Sequence, residues 1–363
     1  MNALAGLRIG LVGPVPPPPG GMAMQTRQLA ELLRRERADV VLVPTNAPYR
    51  PAWIASLRGV RALFRLVPYL VALWRAAGRS DVMHVMANSG WSWHLFAAPA
   101  IWVGRLRRVP VVVNYRGGEA ADFLRRSAGL VRASMRRAAG LVVPSRFLQQ
   151  VFGEHRMPAQ VVPNIVDTEL FRPSPQPPTR QQLIVARRLE PIYDNATALR
   201  AFAQVVAEYP QARLVLAGDG PEEASLRQLA DELGVTAQVE FAGALDRDAI
   251  AARLRESSVS INPSRVDNMP NSVLEALACG VPVVSTRVGG VPFVVDDGET
   301  ALLVPPGDPD AMARAIVRLL RDPALAKRLR DAGLAVAEQY RWVCVSPLWD
   351  EVYRRAVRAG SPN

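Results

Sequence analysis

The sequence predicts an α/β chain built as two doubly wound, Rossmann-like domains. Three observations carry this. Short apolar runs alternate with longer segments whose apolar residues recur at helical spacing, along almost the whole chain. A polar, proline-dense stretch, NIVDTELFRPSPQPPT from Asn164 to Thr179, interrupts the alternation near its middle and reads as a stiff linker. At 363 residues, with 49% hydrophobic and 21% charged content, the chain can bury two cores and is too apolar for disorder.

In the first half, strands are read near 7–12, 39–43, 82–86, 110–114, 140–143 and 160–163, with the clearest helices at 22–37, 54–78, 90–106 and 120–138. The apolar run after Leu7 is too short for a signal peptide, and Pro68 and His94 break the two longest candidates for a membrane span. Beyond the linker, strands are read near 182–186, 213–217, 238–242, 258–262, 282–285 and 301–304, and a helical tail begins at Asp308. The expected domains are 1–172 and 173–346.

Two cysteines, Cys279 and Cys344, are too few for a disulfide framework, so a reducing cytoplasm is expected. Net charge is +11, and it is unevenly placed. Residues 1–173 hold 23 arginines and 9 acids, whereas the remainder holds 21 basic and 24 acidic residues. On the 120–138 helix, Arg125, Arg126, Arg132, Arg136 and Arg137 fall within an arc of roughly 140°. Arg58, Arg61 and Arg65 cluster on the 54–78 helix, which is otherwise rich in Leu, Phe and Trp. These are either solvated faces or a docking surface for anionic lipid or a lipid-linked substrate, where each basic residue contributes about 1 kcal/mol. A non-enzymatic basic binding protein is the competing class, but no nucleic-acid module is recognisable and aromatics do not interleave with the arginines, so nucleic acid is not an expected partner.

One stretch, PSRVDNMPNSVLEALACGVPVVSTRVGG from Pro263 to Gly290, packs strand end, polar loop, helix, tight turn, buried strand and glycine turn into under thirty residues. Pro270 suits the first turn of a helix, Val273, Leu274, Leu277 and Ala278 form its apolar stripe, and Gly280 stops it. The polar loop thus feeds a helix N-terminus, where unpaired N–H groups and the helix dipole favour an anion. Asp267 and Glu275 bracket that position with seven residues between them.

This stretch resembles the donor-site signature of retaining GT-B glycosyltransferases, a Glu-x7-Glu pair followed by A-x-x-x-G-x-P-V-V and a Gly-Gly turn. Glu275-Ala-Leu-Ala-Cys-Gly-Val-Pro-Val-Val and Gly289-Gly290 match, while Asp267 stands where the family has its first Glu. Asn164 and Asp167 resemble the family hinge, Val185-Ala-Arg-Arg-Leu the strand end that opens the second domain, Leu216-Ala-Gly-Asp-Gly-Pro221 its G-x-G-P turn, and Phe241-Ala-Gly243 its F-x-G. The likeness is strong over roughly 160–310 and architectural in the first half.

The resemblance implies a fold of two such domains facing across a cleft, the last helix from about Pro347 to residue 363 returning to the first. It implies transfer of a sugar, a hexose above all, from a nucleotide-diphosphate sugar to a hydroxyl acceptor with retention, in polysaccharide, glycolipid or other glycoconjugate synthesis. The donor is the substrate and no other cofactor is implied. No metal is expected either, since the three histidines are scattered. Glu275 would accept from the ribose hydroxyls and Asp267 would hold sugar hydroxyls, with the backbone of Asn268, Met269, Pro270 and Asn271 against sugar and phosphate. Arg188 takes the pyrophosphate position, with Arg187 beside it and a salt bridge to Glu190 as the structural reading of Arg188. Relatives place a phosphate-binding lysine a few residues on, where this chain has Tyr193-Asp194. Gly218 and Gly220 would border base and ribose, and Gly21, after Gly20, would lie over the donor phosphates. Arg116 stands where many relatives have a sugar-contacting histidine, and is read as a contact for the sugar or an anionic acceptor group, or as a partner of Glu119. His84 is read as a sugar or acceptor contact, or as a satisfied structural residue. A nucleotide-sugar epimerase on the same scaffold is the alternative enzyme.

Overall fold

The structure, a computed structural model, describes residues 4–17, 20–48, 61–175 and 181–360, with only the backbone of 61–63. Arg58, the first part of the expected 54–78 helix and Thr179 lie outside the described residues. The chain divides into two compact units, Met1–Asn164 with Val343–Asn363, and Ile165–Trp342.

In the first unit, β1 (Arg8–Gly13), β2 (Asp39–Pro44), β3 (Val82–Ala87), β4 (Val111–Tyr115), β5 (Gly140–Val143) and β6 (Gln160–Val161) form one parallel sheet in the order β2-β1-β3-β4-β5-β6. Helices α1 (Gly21–Arg35), α2 (Arg61–Ala77), α3 (Ala98–Leu106), α4 (Ala120–Met135) and α5 (Arg146–Glu154) connect the strands. Every residue of β3 and β4 is buried, as expected of parallel strands covered on both faces. The single helix expected at 90–106 is instead a helical start followed by a π-helical turn, Trp93–Ala97, which runs into α3 with Trp93 fully buried.

The second unit repeats the plan. Strands β7 (Gln182–Val185), β8 (Arg213–Leu216), β9 (Val239–Phe241), β10 (Val259–Asn262), β11 (Val283–Thr286) and β12 (Leu302–Val304) lie parallel in the order β12-β11-β10-β7-β8-β9. The helices are α6 (Asn195–Glu208), α7 (Glu223–Glu232), α8 (Arg247–Arg255), α9 (Asn271–Ala278), α10 (Pro309–Arg321) and α11 (Pro323–Glu338). Period-two alternation along β7 sends Leu183 and Val185 into the core against α6 and α10, and Ile184 into the opposite core against α9. Strand order reverses between β7 and β10, the switch point beside which open α/β sheets bind their ligands.

Helix α9 ends as the glycine predicts. Gly280 has φ +67°, its N–H bonds the Leu277 carbonyl and the Val281 N–H bonds Ala276, which satisfies carbonyls the helix leaves open. Pro270 takes the cap position, one residue before the first turn. Residues 165–172 pack with the second unit, because Phe171 is buried in its core and the Val166 N–H bonds the Tyr340 carbonyl at 3.0 Å. The units therefore divide at 164/165, after the first residue of the proline-dense stretch and not at the expected 172/173. The last helix, α12 (Trp342–Gly360), closes the first unit, with Trp349 and Tyr353 fully buried beside β3.

Candidate active site in the second unit

The chain leaves β7 at Val185 and β10 at Asn262, so the residues that follow emerge side by side at the switch point. Arg187 crosses that gap. Its Nε and Nη2 donate to Asn262 Oδ1 at 3.0 and 2.9 Å, Nη2 also donates to the Asp267 carboxylate, and the guanidinium lies 4.9 Å from the Tyr193 ring centroid. The ion pair is nearly buried, with 12% and 10% of the two side chains exposed. Beneath it, Ser264 Oγ donates to Asn262 Oδ1 at 2.8 Å, Asn262 Nδ2 donates to Ser285 Oγ at 2.9 Å, and Thr286 Oγ1 donates to the Ser264 carbonyl at 2.6 Å. Each buried polar group below the arginine is thus used to aim the next.

The loop after β10 is pressed onto the glycine turn after β11. The Gly290 N–H donates to the Asp267 carbonyl at 2.8 Å, and a Cβ on Gly290 would stand 1.6 Å from the Asn268 carbonyl oxygen. Only glycine permits that approach. Burial pushes the Asp267 carboxyl above the ordinary carboxylate range, against the pull of Arg187 and of the Asn268 and Met269 amides. Met269 and Asn268 are buried, Pro270 caps α9 and Asn271 opens it.

Glu275 lies one turn into α9. Burial raises its carboxyl to about 7, although Arg247 and Arg187 both favour the charged form. Arg247, the first residue of α8, is held by Asp167 at 3.3 Å and lies over the Phe171 ring. Guanidinium, helix N-terminus and a proton-accepting carboxylate together suit a ligand that is anionic at one end and hydroxyl-rich at the other.

Neighbouring Arg188 points elsewhere. Its side chain is 43% exposed, with Nε 3.2 Å from Glu190 and 3.8 Å from Asp219. Gly218 and Gly220 serve the same strand end. A Cβ on either would lie 1.9 Å from the Arg187 carbonyl oxygen or 2.2 Å from that of Leu189, and the Leu189 N–H bonds Asp219. They seat the arginine-bearing segment by close backbone contact. Sequence reasoning missed Asn262, Arg247 and the stacking of Tyr193. Asn262 could have been found as the last residue of the strand at the switch point, whereas nothing in the pattern marks Arg247.

In the first unit, Gly20 and Gly21 open α1, and among the described residues a Cβ on either would meet nothing within 4 Å. Arg116 follows β4; its Nε donates to Asn114 Oδ1 at 3.2 Å and its Nη1 to Gln25 and Asn164, and burial lowers it to about 9. Glu119, its expected partner, is exposed. The reading of His84 as a ligand contact is corrected. It is fully buried, Nε2 accepts from Asn114 Nδ2 at 3.0 Å, and Nδ1 sits 2.7 Å from Tyr353 Oη. Its ring centroid lies 4.7 Å from that of Trp349 with the planes tilted by 39°, and burial lowers its pKa to about 3. It is a neutral core residue that fastens α12 to the sheet. Among the described residues, no group of three or more His, Cys, Asp or Glu could hold a metal ion.

Residues 166–335, which contain Arg187, Asn262, Asp267 and Glu275, match the family model described as glycosyl transferases group 1. Residues 19–170 match that of glycosyltransferase family 4. Each half of the chain thus matches a glycosyltransferase family model, and together they support a group 1 glycosyltransferase. A D-inositol 3-phosphate glycosyltransferase of Acidothermus cellulolyticus is 35% identical over 59% of this chain and 52% of its own length. A phosphatidyl-myo-inositol mannosyltransferase of Mycobacterium leprae is 28% identical over 98% of both chains. The alignment thus spans about half of the first relative and nearly all of the second. The sucrose-phosphate synthase of Thermosynechococcus elongatus superposes with a TM-score of 0.78 over 97% of this chain and 100% of its own, at 21% identity, which places the fold in the GT-B class.

Proposed function

We propose that the chain transfers a sugar from a nucleotide-diphosphate sugar to a hydroxyl acceptor with retention of anomeric configuration. The observation that carries this reading is the buried Arg187–Asp267 pair at the β7/β10 switch point, beside the N-terminus of α9 and the Glu275 carboxyl. The guanidinium and the α9 amides stabilise the departing diphosphate, where negative charge grows as the anomeric bond breaks. Arg187 is assigned this task ahead of Arg188, because it is the arginine held against the loop that feeds α9. Glu275 accepts from the ribose hydroxyls, so that binding energy at the nucleoside orients the reacting carbon. The acceptor oxygen bonds to that carbon as the carbon–oxygen bond to phosphate breaks, and the acceptor proton passes to the departing phosphate oxygen.

Two relatives named for inositol-bearing acceptors support a polyol or lipid-linked acceptor. Incubation of the full chain with a panel of nucleotide-diphosphate sugars and polyol or phosphatidylinositol acceptors, read by mass spectrometry, tests the reaction. Release of nucleoside diphosphate with a glycosylated acceptor, its new anomeric centre matching the donor by NMR, supports it. Sugar isomerised without need of an acceptor makes the chain an epimerase and refutes it. Turnover that survives a chelator supports catalysis without metal, and turnover lost until metal is restored overturns that part.

A further inference from the structure

Ten large apolar side chains stand exposed among the described residues, and nine belong to the first unit. Four of them, Phe64, Val67, Val71 and Trp74, recur on α2 within an arc of about 80°. The opposite side of α2 is core, with Tyr69, Leu73, Ala76 and Ala77 buried. This outward stripe is therefore a second apolar face on a helix that has already used its first.

The stripe is continuous with its neighbours. Helix α2 packs on α3, and the Arg107 guanidinium after α3 lies 4.8 Å from the Trp74 ring centroid. On α3 itself Trp102 and Leu106, one turn apart, are 43% and 69% exposed. Helix α3 packs on α4, and Arg137 after α4 lies 4.0 Å from the Trp102 ring centroid, while Leu130 of α4 is 68% exposed on the face shared with Arg126 and Arg137. Trp74 and Trp102 thus each carry a guanidinium over the ring, which sets the ring outside the core and beside a cation. Residues 61–79, 98–108 and 120–137, the three helices with their following turns, hold twelve arginines and one acid, Asp122. Their net charge of +11 equals that of the whole chain.

We propose that the outer faces of α2, α3 and α4 form a docking surface for an anionic lipid bilayer, with Trp74, Trp102 and the α2 stripe entering the headgroup layer and the arginines contacting lipid phosphates. Amphipathic aromatic rings settle at that depth, and cations beside them are attracted by the surface potential of anionic lipid. The charge complementarity selects the lipid surface over a protein partner, whose contact zone would be depleted in charge at its centre. Trp74, Arg107 and Arg137 lie at or beyond the C-terminal ends of their helices, which run antiparallel to the strands. No helix among the described residues is long and apolar enough to cross a membrane, so this is attachment in the interface plane. The proposal is independent of the donor-site reading.

Flotation of the full chain with phosphatidylcholine vesicles, with and without roughly one-third phosphatidylserine, tests it. Binding is expected only with phosphatidylserine, and it is expected to be lost at high salt. Replacing Arg107, Arg126 and Arg137 together by Gln should weaken partitioning about a hundredfold, at about fivefold per arginine. Trp74→Ser with Trp102→Ser should abolish blue-shifted tryptophan emission on vesicle addition, with far-UV circular dichroism confirming that both variants fold. Three results would overturn the proposal. They are no flotation of the folded chain on anionic vesicles at low salt, variants that bind like wild type, and dimers in sedimentation that the tryptophan variants dissolve, which would mean a second copy covers this face.

Discussion

Glu275→Gln is expected to make the protein more stable and less active, and the stability gain should depend on pH. The glutamate is raised from 4.5 to about 7 in the fold, chiefly by burial. A folded pKa above the unfolded one means that the native state holds an extra proton between those two values. Stability contributed by this group therefore declines as pH rises through the window from about 4.5 to about 7. At about 1.4 kcal/mol per pH unit the ceiling is about 3 kcal/mol at pH 8, with a little under 1 kcal/mol lost by pH 5. Glutamine keeps the shape and removes the ionisation. For a unit of this size the difference corresponds to roughly 5–10 °C in melting temperature. The assay is thermal unfolding of both proteins, without nucleotide, from pH 5 to pH 8. The variant should melt increasingly above wild type as pH rises, while its donor turnover falls by orders of magnitude. A melting difference that stays constant across that range would refute a raised Glu275 pKa and the buried-carboxylate account of the site.

Arg187→Ala should lower kcat/KM for the donor about a hundredfold or more and destabilise the second unit by about 3 kcal/mol, because it leaves Asp267 buried without its guanidinium. Arg188→Ala removes a half-exposed bridge and should cost under about 1 kcal/mol in chemical denaturation. Steady-state kinetics of the pair decides which arginine faces the phosphates. Gly290→Ala places a methyl group 1.6 Å from the Asn268 carbonyl oxygen, so the 267–271 loop must move. Donor binding by calorimetry should be lost while circular dichroism keeps the α/β signal. Tyr353→Phe should cost about 1 kcal/mol through the lost His84 hydrogen bond and leave the pH–rate profile unchanged. A profile that shifts in this variant would give His84 a part in the chemistry.

The twelve strands and the stop at Gly280 were legible because each is written locally, as a short run between turn signals or as a single glycine after an apolar stripe. The choice between Arg187 and Arg188 was not. Adjacent residues leaving a strand point to opposite sides, and which one turns inward depends on Asn262, 75 residues away, and on Asp267, 80 residues away. Nothing in the local pattern of Val185-Ala-Arg-Arg-Leu carries that register. His84 shows the same limit from the other side. A histidine in a buried strand reads as a candidate ligand contact until the helix that covers it is known, and here that helix arrives 269 residues later with Tyr353. Tyr193 was legible as a departure from lysine but not as a replacement contact, because its ring supports Arg187 by stacking instead of supplying a charge. Arg187 is thus fixed by an acid, an amide and an aromatic ring. In the proposed reaction Asp267 has two tasks, since the carboxylate proposed for the sugar hydroxyls also holds the guanidinium in place. Lengthening it to Asp267→Glu is expected to push against Arg187 and the Asn268 loop at once, because the shorter acid is what fits the inward arginine here.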